Sequence, residues 1–146
     1  MIRKAQLVAA LNRTQEALSL LSQAETLEAS NPELFMTRAA IYSQMGLTEQ
    51  SIENYKKAAE HSEEVDDVYL FMAYEFINTS RYIDAVYYLK KALRTNPEND
   101  TAMYELGFCY EVNNQSDEAI KYFSEFIDQY PYSSVAWFHL GIALNK

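Results

Sequence analysis

The chain has 146 residues, a single cysteine, and 21 acidic against 12 basic residues, for a net charge of −9. One cysteine excludes an internal disulfide framework. The negative balance opposes phosphate backbones and argues against nucleic-acid binding. No apolar run approaches the ~20 residues of a membrane span, and three glycines with three prolines leave little room for strand turns.

In chain order, "MIRKAQLVAAL" opens with basic residues and a short apolar patch. Polar residues follow at once without a small-residue cleavage pattern, so it is not read as a secretion signal, and a cytoplasmic location is expected. A divergent helix pair is predicted from roughly Ile2 to Glu28, within residues 1–31, with its turn at "LNRT". Asn31-Pro32 then supplies an N-cap followed by proline at the first helical position. Residues 32–65 form a helix hairpin that turns at "MGLT", and the acidic run "EEVDD" (Glu63 to Asp67) suits the start of the next helix. That run lacks the alternating oxygen ligands and glycine of a calcium loop. Residues 66–99 turn at "NTSR", residues 100–133 at "NNQS", and residues 134–146 give one last helix without a hairpin partner. Lys56-Lys57 and Lys90-Lys91 recur on the second helices and read as a solvated convex face.

These segments repeat with a period of 34. Met103 to Pro131 aligns without a gap on Tyr69 to Pro97, and then on Phe35 to Glu63. The spacing and residue types resemble the tetratricopeptide repeat (TPR). The second full unit places Tyr69, Met72, Ala73, Phe76, Ala85, Leu89, Ala92 and Pro97 at the repeat's signature positions. The third places Met103, Leu106, Gly107, Tyr110, Ala119, Phe123, Phe126 and Pro131 there. The resemblance implies an all-α, right-handed superhelical solenoid of antiparallel hairpins, with about eight to nine helices. Elementary packing agrees. Residues 4, 7, 8 and 11 share a helical face, and small residues at positions 8 and 20 let paired helices approach to about 8 Å. Each hairpin leaves an apolar face bare until the next one covers it.

Two departures from the pattern carry expectations. Arg38 stands where leucine is usual, so loose packing is expected in the first full repeat. Phe126 stands where alanine is usual, and is expected to force a wider or rotated junction towards Trp137. The chain begins and ends inside hairpins without a polar capping helix, so it is expected to be a piece of a longer repeat protein.

The resemblance further implies that first helices line a concave groove. Carried over by position, the candidate binding residues are Met36, Ala40, Asp67, Leu70, Tyr74, Ile77, Asn78, Tyr104, Phe108, Glu111, Val112 and Phe138. The positions at which chaperone-binding relatives carry cationic clamp residues hold Met36, Ala40, Leu70, Tyr74, Tyr104 and Phe108 here, so a carboxylate clamp is not expected. The apolar wall suits a peptide or helix, as in a scaffold or adaptor. It equally suits packing against the protein's own further segments or a second copy, and self-association through the groove or the terminal helix stays open. An alternative is a spacer or assembly region attached to a catalytic or membrane domain elsewhere.

Nothing reads as an active site, and no metal or cofactor is expected. A thiol nucleophile needs a base within reach. His139 stands at repeat position 6 against position 10 for Cys109, so their directions differ, and His61 sits near the end of a second helix, so neither is placed to activate the sulfur. Cys109 takes the slot that Ala143 fills one repeat later, and is expected to be buried filler.

Overall fold

The computed structural model describes residues 1–146 as nine helices without a strand. None of them is long and apolar enough to cross a membrane. The all-α hairpin class expected from the sequence is the one observed. The helices are α1 (Ile2–Ala10), α2 (Thr14–Leu27), α3 (Pro32–Gln44), α4 (Thr48–His61), α5 (Val65–Asn78), α6 (Tyr82–Thr95), α7 (Asp100–Val112), α8 (Ser116–Gln129) and α9 (Ser134–Leu144). They divide into two compact units, Met1–Val68 and Tyr69–Lys146.

The period of the sequence reappears in the backbone. The left-handed residues are Asn12, Gly46, Ser80 and Asn114, with φ of 61°, 75°, 59° and 58°, each 34 residues after the last. The amide after each one reaches back five residues: Arg13 to Val8, Leu47 to Tyr42, Arg81 to Phe76 and Gln115 to Tyr110, at 2.7–3.1 Å. The left-handed residue itself bonds three back, as Asn12 does to Ala9 and Gly46 to Ser43. This is the Schellman ending, which satisfies orphan carbonyls and folds the chain into the next helix. Helix starts also recur in phase. The side chains of Asn31, Asn99 and Ser133 accept from amides of the first turns of α3, α7 and α9.

In the first unit, Leu21, Leu34, Phe35, Ala39, Ile52 and Ala58 are buried. Ser51 takes the place of the usual small apolar residue, and its hydroxyl donates to the Ala39 carbonyl at 2.9 Å. Arg38 corrects the expectation of loose packing. It is buried, and its guanidinium pairs with Glu25 on α2 at 2.8 Å while lying 5.9 Å from the Phe35 ring centre. An ion pair at the rim of the core fills the place of a leucine.

In the second unit, Met72, Ala73, Leu89, Leu106, Cys109 and Phe123 are fully or almost fully buried. Lys91 covers the rings of Tyr69, Tyr87 and Tyr88 at 5.0–5.7 Å, so this member of the lysine stripe is part of an aromatic cluster. Phe126 departs from what was expected. Its ring rests against Tyr104 and Tyr130, at 5.5 and 4.9 Å, and stays half-buried while Ile127 beside it takes the buried slot. Trp137 turns outward, and its indole N–H donates to the Pro131 carbonyl at 2.8 Å. On α8, then, Ile127 is buried and the Phe126 ring lies half-buried against Tyr104 and Tyr130.

Candidate partner-binding site

The second unit carries a wall of aromatic side chains from α5, α7 and α9. His139 sits at its centre. Its ring stacks on Phe123 at 5.6 Å and 14°. It meets Tyr104, Phe108 and Phe138 edge-on at 6.0, 6.0 and 5.5 Å. These spacings are those of favourable aromatic pairs. His139 Nδ1 lies 2.7 Å from Glu111 Oε2, and Lys146 Nζ donates to the Glu111 carbonyl at 3.1 Å. Together these contacts fasten α9 to α7 and fix the orientation of the wall.

Glu105 is the polar feature of this wall. Burial pushes its carboxyl above the ordinary value of 4.5, and nearby His139 only partly offsets that. Tyr104 and Tyr74 are both raised, first by burial and then by the charge of Glu105, with Glu111 adding to the effect at Tyr104. A half-buried carboxyl therefore sits close to both tyrosines. The wall combines apolar contact area with a negative centre.

The predicted groove residues fall into different environments. Tyr74, Tyr104 and Phe108 are half-buried, and Phe138 is 65% exposed. Val112 and Asn78 are exposed at the ends of their helices, with Ile77 half-buried. Leu70 and Glu111 correct the carried-over reading. Both are buried, Leu70 in the core and Glu111 against His139, so neither offers a free face. In the first unit, Asp67 is exposed near the start of α5. Met36 and Ala40 line an open cleft of about 330 Å³ between α1 and α3, with Gln6, Ala9, Ala10 and Gln44. Gln6 crosses its rim to donate to Thr37 Oγ1 at 3.0 Å.

Sequence reasoning missed Glu105 and the structural part played by His139. Both occupy repeat position 6, outside the positions carried over from the resemblance. The available signal was chemical: a carboxylate and an imidazole at the same register of successive first helices, flanked by aromatic residues.

Cys109 is fully buried, and its thiol is pushed up to about 12, chiefly by burial and then by Glu105. A thiol held in that state supplies almost no thiolate near neutrality. No cluster of three or more His, Cys, Asp or Glu side chains is arranged to hold a metal ion.

Two family models, each described as tetratricopeptide repeat, match residues 77–144 and 32–63. The chain is a tetratricopeptide repeat protein. Among solved structures, this TPR protein is similar to YrrB, described as a TPR protein with an unusual peptide-binding site. The two share 21% identity over 97% of this chain and 73% of that one, with a TM-score of 0.78. It is similar to MamA at 20% identity over 97% of this chain and 82% of that one, TM-score 0.82. It also resembles pilF of Pseudomonas aeruginosa at 17% identity over 99% and 66%, TM-score 0.78. At these identities the likeness establishes the TPR fold alone. No curated protein matches the sequence.

Proposed function

We propose that this TPR protein is an interaction module that takes an apolar peptide or helix against the aromatic wall of its second unit. Tyr74, Tyr104, Phe108 and Phe138 are the anchors, and Ile77, Asn78 and Val112 flank them. The observation that carries this reading is Phe138. It is 65% exposed, and its ring meets that of His139 edge-on at 5.5 Å. Pre-oriented, accessible aromatic rings are the usual hot spots of protein interfaces. The TPR fold itself favours protein or peptide partners, and YrrB supplies one instance of a peptide site on it. Because Glu105 lies within the wall and no lysine or arginine occupies its anchor positions, a partner with apolar side chains and a basic group fits better than one ending in a carboxylate.

The test is affinity capture with the wild type and with Tyr74→Glu, Phe108→Glu and Phe138→Glu. A partner that uses the wall is retained by the wild type and lost from all three. Phe138→Glu is the most decisive, since an exposed ring is replaced without disturbing the core. A partner held equally by all four proteins contradicts the assignment.

A further inference from the structure

A cleft of about 300 Å³ on the second unit is lined by Lys90, Leu93 and Arg94 of α6 and by Tyr122 of α8. None of these residues belongs to the aromatic wall. Lys90, Leu93 and Arg94 stand at i, i+3 and i+4 and so share one helical face. Lys121 adds a third cation beside Tyr122, with its Nζ 5.3 Å from that ring centre. Lys90 Nζ lies 5.7 Å from the ring centre of Tyr110, and Tyr110 stacks on Tyr122 at 5.7 Å and 13°. Each ring of the stacked pair therefore has an ammonium group against it, and Arg94 stands one turn further along α6.

Three of the chain's 12 basic residues meet at this cleft, on a protein of net charge −9. None of the three is in an ion pair, although in the same unit Arg81 pairs with Asp84 and His139 with Glu111. Glu118 and Glu125 stand at i−3 and i+4 from Lys121, but both are exposed and neither closes onto it. Lys90 instead hydrogen-bonds to the buried Tyr110, which holds its ammonium above the ordinary value against the opposing effect of burial. Glu118 makes the smallest contribution to that shift.

We propose that this cleft binds an acidic segment of a partner protein, with carboxylates set against Lys90, Arg94 and Lys121 and apolar side chains against Leu93 and Tyr122. The planar guanidinium of Arg94 can take one carboxylate through two hydrogen bonds, while the lysines act as point charges beside it. The tyrosine rings keep both ammonium groups in place, so less freedom is lost on binding. Charge complementarity selects the occupant. The rest of the chain carries 21 acidic residues and repels such a segment, so the cleft is where it can be held. Nucleic acids and lipid surfaces draw their affinity from broad basic faces, which this chain lacks. Recognition of acidic motifs by a few clustered cations needs no such breadth.

Fluorescence anisotropy on the full chain tests this with a labelled peptide repeating Asp-Glu-Leu and with its Asn-Gln-Leu counterpart. The wild type is expected to bind the acidic peptide alone, with affinity that falls at least about threefold between roughly 50 and 300 mM salt. Arg94→Glu and Lys121→Glu replace exposed side chains, and each is expected to weaken binding about tenfold or more. Lys56→Glu on α4 makes the same change in net charge, and Phe138→Ala removes a ring of the aromatic wall. Both should bind within about twofold of the wild type. An equal loss from Lys56→Glu reduces the effect to overall charge and overturns the proposal. Wild-type binding of both peptides alike, or of neither, overturns it too. Phosphatidylserine vesicles are the competing arm. Their capture by the wild type and not by Arg94→Glu, with the acidic peptide left unbound, assigns the cleft to a membrane and also overturns it.

Discussion

The same substitution, glycine to alanine, is expected to have opposite effects at two positions one repeat apart. At Gly107 the new methyl would meet three carbons of the Phe123 ring at 2.8, 2.9 and 3.0 Å. That ring cannot retreat. It is fully buried, stacked on His139 at 5.6 Å and crossed by Tyr104 at 5.8 Å. Overpacking of this kind costs about 1–3 kcal/mol, while alanine regains about 1 kcal/mol of helix propensity. The net expectation for Gly107→Ala is a loss of roughly 1 kcal/mol. At Gly141 the methyl meets nothing within 4 Å, so only the propensity term remains. Fraying near the end of α9 reduces it, leaving a gain of about 0.5 kcal/mol. The two variants should therefore differ by roughly 1.5 kcal/mol. Urea unfolding at a few micromolar, followed by far-ultraviolet circular dichroism, measures the global change, and Trp137 emission reports α9 separately. Two readouts are needed because repeat proteins unfold in parts. If both variants shift stability in the same direction, the close α7–α8 approach at Gly107 is not what selects glycine there.

Three further outcomes follow from single contacts. Cys109, buried with its thiol raised to about 12, should react with a thiol reagent at pH 7.5 at least about a thousandfold slower in the native protein than in urea, where a thiol near 8.5 is exposed. Glu105→Gln should leave stability unchanged at acidic pH and raise it progressively above the ordinary carboxylate range. The sign follows from linkage: a carboxyl raised in the folded state binds more protons there than when unfolded, so wild-type stability falls as pH rises through that window. A Glu105→Gln difference that is constant from pH 3 to 8 contradicts this. Arg38→Leu should change stability by less than about 1 kcal/mol, because a well-packed apolar residue can replace a buried ion pair. Glu25→Ala, which strands the buried guanidinium, should cost about 1–2 kcal/mol, the low end because Glu25 itself is 38% exposed. Equal losses for the two in thermal unfolding would overturn that assignment.

The fold was legible in the sequence because its constraints repeat. The turns "LNRT", "MGLT", "NTSR" and "NNQS" each place a left-handed residue at the same phase, and three of the four use asparagine or glycine, which tolerate it. The small residues Ala73, Ala85, Gly107 and Ala119 mark where helices touch, and all four are buried. What was not legible depends on which side chain of two neighbours is buried, and on partners from other helices. Phe126 holds an alanine position by count, but α8 turns Ile127 inward instead, and counting cannot see that exchange. Leu70 and Glu111 hold groove positions by count, yet both are buried, Glu111 against His139. Arg38 was legible as an anomaly, but its partner Glu25 lies 13 residues away on another helix and has no periodic signature. Glu105 escaped notice because its importance comes from burial among tyrosines and not from its place in the repeat.

The central functional claim is that the aromatic wall of the second unit is the partner surface. Its most direct test is quantitative capture with Phe138→Glu set beside Ile83→Glu, which places the same charge on a residue of α6 that is 75% exposed. Both changes replace exposed apolar side chains, so both proteins should remain folded. The account predicts that proteins bound by the wild type are kept by Ile83→Glu and lost, by tenfold or more, from Phe138→Glu. Equal retention by the two variants, or loss from Ile83→Glu alone, would contradict it.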